Sequence, residues 1–497
     1  MTTVETPAWV QDAVFYQIFP DRFARSERVP AFLHLEPWDD PPTTYGFKGG
    51  DLWGILEHLD YLQDLGVTAL YLNPIFQSAA NHRYHTYDYF QVDPILGGNA
   101  ALRALLDAAH GRGMRIVLDG VFNHTGRGFF PFHHILENGL QSPYRDWFII
   151  KEMPLRPYNA PPGRQGYEAW WNLPALPKLN TETPAVREFL WQVATHWIEF
   201  GIDGWRLDVP AEIDDDEFWR EFRRRVKGVN PEAYIVGEIW HDAHRWLQGD
   251  QFDAVMNYGL ARACLGFFVG DALWQEEVAR CGYHHIAPLD GHAFAAEVDR
   301  MQGLYPRPIV QVQLNLLGSH DTPRFKTLAR GDDTAYRLAT LFQMTYPGAP
   351  CIYYGDEIGL EGRHDPGCRG GFPWDVDRWD RDLHAFVRRC IALRHEHPAL
   401  RHGDWTWLHV DGDVVAYRRA LDDDRVVVIL NRGQGTTHLT LPLTEGEVWE
   451  TWEGTTVTGG QTAQVSVAAR SGLVLLGKAS TSTKFHTAEA QSSQRNG

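Results

Sequence analysis

Apolar positions along the chain follow two spacings in turn. Continuous runs such as Ala13-Val-Phe-Tyr-Gln-Ile-Phe19 and Val67-Thr-Ala-Leu-Tyr-Leu72 have the length and the β-branched or aromatic content of buried strands. Between them Leu52, Ile55, Leu56, Leu59, Leu62 and Leu65 recur at helical spacing from Asp51 until Gly66, a helix-ending residue. The same alternation predicts helices over 101–112, 183–200, 214–226 and 333–345, and strands over 115–122, 201–208, 233–237, 252–256, 309–317 and 351–354, with further helix filling 260–301. Eight strands separated by helices pair in parallel through right-handed crossovers, which predicts an α/β fold of the TIM-barrel type with insertions. An open doubly wound sheet is the alternative, but no Gly-rich nucleotide loop follows the first strand.

The stretch 123–179, rich in Pro, Gly and aromatics, is too long for an ordinary loop and predicts a small inserted domain after the third strand, beside the barrel mouth. It divides the barrel into 1–122 and 180–398. From 399 to 478 the runs Val414-Val-Ala-Tyr-Arg and Arg425-Val-Val-Val-Ile-Leu, with turn residues at short intervals, predict a C-terminal β-sandwich. The Ser-, Thr- and Gln-rich tail 479–497 reads as disordered.

Composition narrows the ligand. The 19 Trp and 13% aromatic residues suit a site that stacks flat apolar faces such as sugar rings. A formal charge of -18 opposes a nucleic-acid partner, because phosphates need a basic field. No run has the length of a membrane helix, and the opening Met1-Thr-Thr-Val-Glu-Thr lacks the basic and apolar regions of a signal peptide, so a cytoplasmic protein is expected. The five cysteines show no Cys-x-x-Cys spacing and suggest neither a disulfide framework nor a thiolate zinc site.

In such a barrel the reactive groups stand at the carboxyl ends of the strands. Those ends carry Asp119 and Asn123-His124, Arg206 and Asp208, Glu238 with Ile239-Trp240, His320-Asp321, and Gly355-Asp356-Glu357. Each acidic residue alone reads equally well as a helix cap or a buried support, and Asp119, inside its strand, is better read as support. Together on one rim they would repel one another unless they served a site. The chemistry that needs such a set is glycosidic cleavage with retention, which uses an ionised carboxylate and a protonated carboxyl roughly 5 Å apart. Arg206, on the same strand face as Asp208, is expected to keep Asp208 anionic as the nucleophile. Glu238, next to Ile239 and Trp240, is expected to hold the proton for the leaving oxygen. Asp321 would bind sugar hydroxyls and raise the pKa of Glu238, and His124 and His320 would donate hydrogen bonds as charge builds at the anomeric carbon.

Four motifs in order, Asp119-Gly-Val-Phe-Asn-His124, Gly204-Trp-Arg-Leu-Asp208, Gly237-Glu-Ile-Trp240 and Leu316-Leu-Gly-Ser-His-Asp321, make the chain resemble the α-amylase family of glycoside hydrolases. The resemblance runs from Val14 to about Leu476 and implies the barrel, the inserted domain and the terminal sandwich. It implies Asp208 as nucleophile, Glu238 as acid/base and Asp321 as transition-state stabiliser, in agreement with the roles read from the residues. It also places Arg206, His124 and His320 around the central subsite and makes Tyr84, in Asn81-His-Arg-Tyr-His-Thr-Tyr-Asp-Tyr89, the sugar-stacking Tyr.

Leu176-Pro-Lys-Leu-Asn180 resembles the motif of the neopullulanase, cyclomaltodextrinase and maltogenic amylase group, in which Met usually stands first. By that resemblance Asp365 and Arg369, in Asp365-Pro-Gly-Cys-Arg369, lie on the substrate-side loop, and Trp240 and Glu212 on the acceptor side. Val209-Pro-Ala-Glu212 departs from the group's Val-Ala-Asn-Glu. The group usually carries an extra amino-terminal domain used in dimerisation, whereas here the first barrel strand begins near Ala13, so a monomer with an open cleft is expected. No cofactor is required by this reading. Calcium enters only through Asn123, which matches a metal-binding residue of many α-amylases, while the loop 25–45 offers only Asp39-Asp40 and no clear cage.

The expected function is retaining hydrolysis of α-1,4-linked glucans, whether starch, maltooligosaccharides, cyclodextrins or pullulan, with transglycosylation as a side reaction. A trehalose synthase-like transglycosylase or isomerase is the alternative within enzymes, because sugar as well as water can capture the intermediate. A non-catalytic glycan-binding protein on the same fold is the alternative outside them.

Overall fold

The structure is a computed structural model that describes residues 4–28, 34–442, 448–458 and 462–478. The expected tail 479–497 lies outside them. Eight strands close into a barrel: β1 (Phe15–Ile18), β2 (Ala69–Leu72), β3 (Arg115–Gly120), β4 (Gly204–Leu207), β5 (Tyr234–Gly237), β6 (Ala254–Asn257), β7 (Leu314–Leu316) and β8 (Ala349–Tyr353). All neighbours run parallel, and β8 pairs with β1 to complete the ring. Most barrel strands are buried at every position, since helices cover the outside and side chains fill the inside; this is why they read as continuous apolar runs.

Three elements differ from their sequence reading, each for a local reason. The helix expected over 51–66 is broken at His58 (φ -111°, ψ 14°) into Leu52–Glu57 and Leu59–Leu65, although Asp51 caps the first and Gly66, at φ 96°, ends the second. The strand expected over 309–317 begins as a short helix, Arg307–Val310, because Pro306 and Pro308 favour a helix start, and only Leu314–Leu316 joins the barrel. The helices expected to fill 260–301 leave 279–290 outside any helix, and the last begins only at Gly291–Leu304, where the Asp290 side chain accepts from the Ala293 N–H.

The segment 123–179 packs beside the barrel mouth around a helix, Phe130–Asn138, with Phe129, Phe132, Phe148 and Tyr167 as its small core. An antiparallel bridge between His124 and Lys178 ties its two ends together. The C-terminal region forms a six-stranded antiparallel sheet facing a two-stranded one, Thr437–Pro442 with Thr462–Val467. Its strands are apolar on both faces for a physical reason. Val415, Tyr417, Val426 and Val428 pack toward the barrel core, while Val414, Ala416, Val427 and Ile429 face Leu439, Leu441 and Val465 of the second sheet.

Candidate active site

Arg206, Asp208 and Glu238 are fixed by the barrel's own ladder. Asp208 N–H donates to Gly120 O at 3.0 Å and Glu238 N–H to Leu207 O at 2.9 Å, so each carboxylate leaves its strand end at a defined height. Gly204 lets β4 and β5 approach, since a Cβ there would lie 2.3 Å from Tyr234 O. The fully buried guanidinium of Arg206 then joins three acids: Nη1 lies 2.8 Å from Asp119 Oδ1 and 3.0 Å from Asp208 Oδ1, and Nη2 lies 3.0 Å from Glu238 Oε2. Beneath it, Asp119 Oδ2 accepts from Tyr71 and Tyr84 hydroxyls at 2.8 Å each, which fits the supporting role expected for it.

Two imidazoles face this cluster in matching states. Gln17 Nε2 lies 2.8 Å from His320 Nδ1, and Asn123 Nδ2 lies 3.2 Å from His124 Nδ1. An amide N–H only donates, so Nδ1 accepts in both rings and Nε2 carries the proton. Burial lowers the pKa of both rings, His124 down to about 3 and His320 well below the usual value, with neighbouring cations adding to the effect at His320. Both are therefore neutral donors. His124 Nε2 sits 4.0 Å from Asp208 Oδ2 and has no hydrogen-bond partner among the described residues, a donor left for a ligand hydroxyl. His320 Nε2 lies 2.6 Å from the Tyr84 hydroxyl and 3.1 Å from Asp321 Oδ2, and the Tyr84 ring lies parallel to the His320 ring at 5.5 Å.

Asp321 is the most open of the three expected catalytic carboxylates, its side chain 32% exposed against 9% for Asp208. Arg369 holds it: Nη2 lies 3.2 Å from Asp321 Oδ1, Nη1 2.9 Å from Asp365 Oδ1, and Nε donates to His320 O at 2.9 Å. On the opposite wall Trp240 Nε1 donates to Glu238 Oε1 at 3.0 Å, and its ring lies flat on Tyr258. Glu212 stands further out, where Lys178 Nζ reaches its carbonyl at 3.0 Å and its carboxylate at 3.6 Å. The remaining rim group is not brought in. Asp356 pairs with Arg324, and Glu357 turns away to Tyr16 and Tyr61, so neither joins the cluster around Arg206.

Several contributors carry no motif. Val209 has φ 38° and ψ 50°, a left-handed conformation strained for a β-branched residue, and from it the N–H donates to Glu238 Oε2 at 3.1 Å. Gln17, Asn73, Tyr71, Met256 and Tyr258 complete the second layer of contacts. The only sequence signal for them is their position at strand ends.

The electrostatics correct one expectation. Arg206 does lower the Asp208 pKa, but burial, with Glu238, Asp119 and Asp321 adding, lifts that carboxyl well above its ordinary range. Burial also raises Asp119 and Glu238, Arg206 opposes both rises, and Asp321 adds to the one at Glu238. Asp119, Asp208 and Glu238 thus share one guanidinium, and the charge on Asp119 or Glu238 favours the proton on Asp208. Burial works against the Arg206 charge, yet Asp119 and Glu238 hold it firmly protonated.

Asn123 has no carboxylate cage around it among the described residues. Its Oδ1 is buried with no partner among the described residues, but among those residues no group of three or more His, Cys, Asp or Glu is placed to hold a metal. Asp39 pairs with Arg378, and the carbonyls of Pro37 and Asp40 each accept from the buried Lys48 Nζ at 2.7 Å, so the loop after β1 carries its own cation.

The chain is similar to known proteins over most of its length. A family model described as the alpha amylase catalytic domain matches residues 17–391. A cyclomaltodextrinase of a Bacillus sp is 48% identical over 431 residues, 86% of this chain and 74% of that protein. Neopullulanase 2 of Thermoactinomyces vulgaris is 46% identical over 451 residues, 89% of this chain and 74% of that one. Among solved structures, a debranching enzyme from Nostoc punctiforme superposes with a TM-score of 0.86 at 46% identity, covering 95% of this chain and 100% of that one. With the barrel, the ordered motifs and these likenesses together, the chain belongs to the α-amylase family and is an α-amylase-type glycoside hydrolase.

Proposed function

We propose that the protein hydrolyses α-1,4-glucosidic bonds with retention, in starch, maltooligosaccharides and cyclodextrins, and that pullulan is also accepted. The observation that carries this is Arg206, whose two terminal nitrogens each hold one of the carboxylates at neighbouring strand exits. Glu238 gives its proton to the glycosidic oxygen as an Asp208 oxygen attacks the anomeric carbon, and the bond to the leaving sugar breaks. Glu238 then takes a proton from water, whose oxygen attacks the same carbon and releases Asp208. Neutral His124 and His320 donate to sugar hydroxyls, Asp321 binds hydroxyls as positive charge builds, and Tyr84 supports the ring at the scissile bond. Asp365 and Arg369 bound the donor side; Trp240 and Glu212 bound the acceptor side.

The names of the relatives support cyclomaltodextrin and pullulan as substrates, and the debranching enzyme from Nostoc punctiforme favours α-1,6 cleavage as a second activity. A sugar held against Trp240 can replace water in the second step, so transglycosylation accompanies hydrolysis. A relative from Bacillus subtilis is an intracellular maltogenic amylase, which supports an intracellular location for this protein; among the described residues no helix is long and apolar enough to cross a membrane. Chromatography of the products from starch, pullulan, β-cyclodextrin and maltose, beside an Asp208→Asn control, tests the reading. Maltose and glucose from wild type and at least a roughly 10³-fold loss in the variant support it; trehalose as the main product from maltose, or an active Asp208→Asn, would sink it.

A further inference from the structure

The inserted segment ends in a column of three rings that starts at the reaction centre. His124, facing Asp208, stacks on Trp170 with ring centres 5.1 Å apart and planes 11° apart. Trp170 stacks on Trp171 at 4.4 Å and 12°. Trp170 is half-buried, and its indole Nε1 is buried with no partner among the described residues. Trp171 is 74% exposed, so one face rests on Trp170 and the other meets solvent. Both Trp171 and Asn172 have left-handed backbones, φ 50° and 57°. Asn tolerates this region, but for the bulky Trp171 it costs about 1–3 kcal/mol and persists where the surroundings impose it.

A lone exposed aromatic needs no explanation. This one is held outward by its own strained backbone, on a stack whose far end touches the nucleophile's environment. Burial does not account for it, because the outer indole face covers nothing. An indole is the widest flat apolar surface a side chain offers, and a pyranose presents a matching face of C–H groups without charge.

We propose that Trp171 is a stacking platform for a glucose ring of the substrate chain, bound on the inserted-segment side of the cleft beyond the unit at the scissile bond. Trp170 is a positioning residue that sets the platform parallel to His124, so that a longer chain is registered against Asp208 by two ring contacts instead of one. The inference rests on the α-glucan reading of the site. It predicts that chain length matters to turnover through this residue.

The test compares wild type, Trp171→Ala and Trp171→Phe on maltotriose and maltohexaose, with maltohexaose binding measured separately by calorimetry. Trp171→Ala should lower the ratio of kcat/KM on maltohexaose to that on maltotriose about tenfold and weaken maltohexaose binding about as much, the scale of one aromatic contact. Trp171→Phe should restore most of both. An unchanged ratio or unchanged binding overturns the platform. So does an equal loss on both substrates, since that marks the stack as mere support for His124. Wild type that binds maltohexaose through Trp171 yet cleaves no α-glucan removes the hydrolase reading and leaves the platform; wild type that neither binds nor cleaves removes both.

Discussion

The indole N–H of Trp240 donates to Glu238 Oε1 at 3.0 Å while the Trp240 ring lies on Tyr258, with centres 3.6 Å apart and planes 11° apart. The sequence suggested that Trp240 would give Glu238 an apolar wall and so help it keep its proton. The contact works the other way, because a hydrogen bond to a carboxylate favours the ionised form, and the rise at Glu238 comes from burial in spite of it. Trp240→Phe keeps an aromatic against Tyr258 and removes the donor. The Glu238 pKa should then rise. Since the acid must be protonated to act, the alkaline limb of the kcat/KM profile should move to higher pH; an unmoved limb would show that the contact does not tune the acid.

Asp119 tests the shared guanidinium from below. It is buried under Arg206, where its charge raises the pKa of Asp208. Asp119→Asn keeps an oxygen for Tyr71 and Tyr84 but removes the charge. Asp208 should then ionise more easily, and the acidic limb of kcat/KM should move to lower pH. The rate itself should fall, because Arg206 loses its nearest partner. A limb that stays in place while the rate falls would mean that Asp119 acts only by shape.

The barrel and the three carboxylates were legible because both rest on local pattern. Buried parallel strands leave continuous apolar runs, and a strand exit is where a run meets a charge. Gln17, Asn73 and Val209 were not legible, because their roles depend on which strand lies opposite. Gln17 meets His320 across 303 positions of sequence, and nothing near either residue announces the pair. Glu357 shows the converse failure. It sits at a strand exit like Glu238, but the turn at Gly355, with φ 84°, delivers it to the helix layer and not to the mouth. Strand ends set the height of a side chain, and the turn that follows sets its direction.

Chelation separates the metal question from the catalytic one. The loop after β1 is held by Lys48 Nζ on two carbonyls, and Asn123 donates to His124. Exhaustive dialysis against EDTA should therefore leave both the melting temperature and the turnover of starch unchanged. A fall of several degrees that added calcium reverses would reveal a cation site and reassign Asn123. Lys48→Met, by contrast, should destabilise by about 2–3 kcal/mol, as it leaves two carbonyls without their donor.

Glu357 gives the stability of the fold a pH dependence separate from that of the active site. It is fully buried, its Oε1 accepts from the Tyr16 and Tyr61 hydroxyls at 2.7 and 2.6 Å, and its Oε2 has no partner among the described residues. Burial pushes its pKa up to about 7 from 4.5, against the pull of the two tyrosines. Between those values the native state holds a proton that the unfolded chain has lost, so stability falls as pH rises through this window and levels off above it. Glu357→Gln keeps the accepting oxygen and cannot ionise, and so resembles the protonated acid. Relative to wild type, its stability should rise by about 2–3 kcal/mol between pH 5 and pH 8. Guanidinium unfolding of both proteins at the two pH values measures that difference directly. A gain that does not grow with pH would mean that Glu357 is already ionised in the native protein at pH 5, with a pKa like that of the unfolded chain.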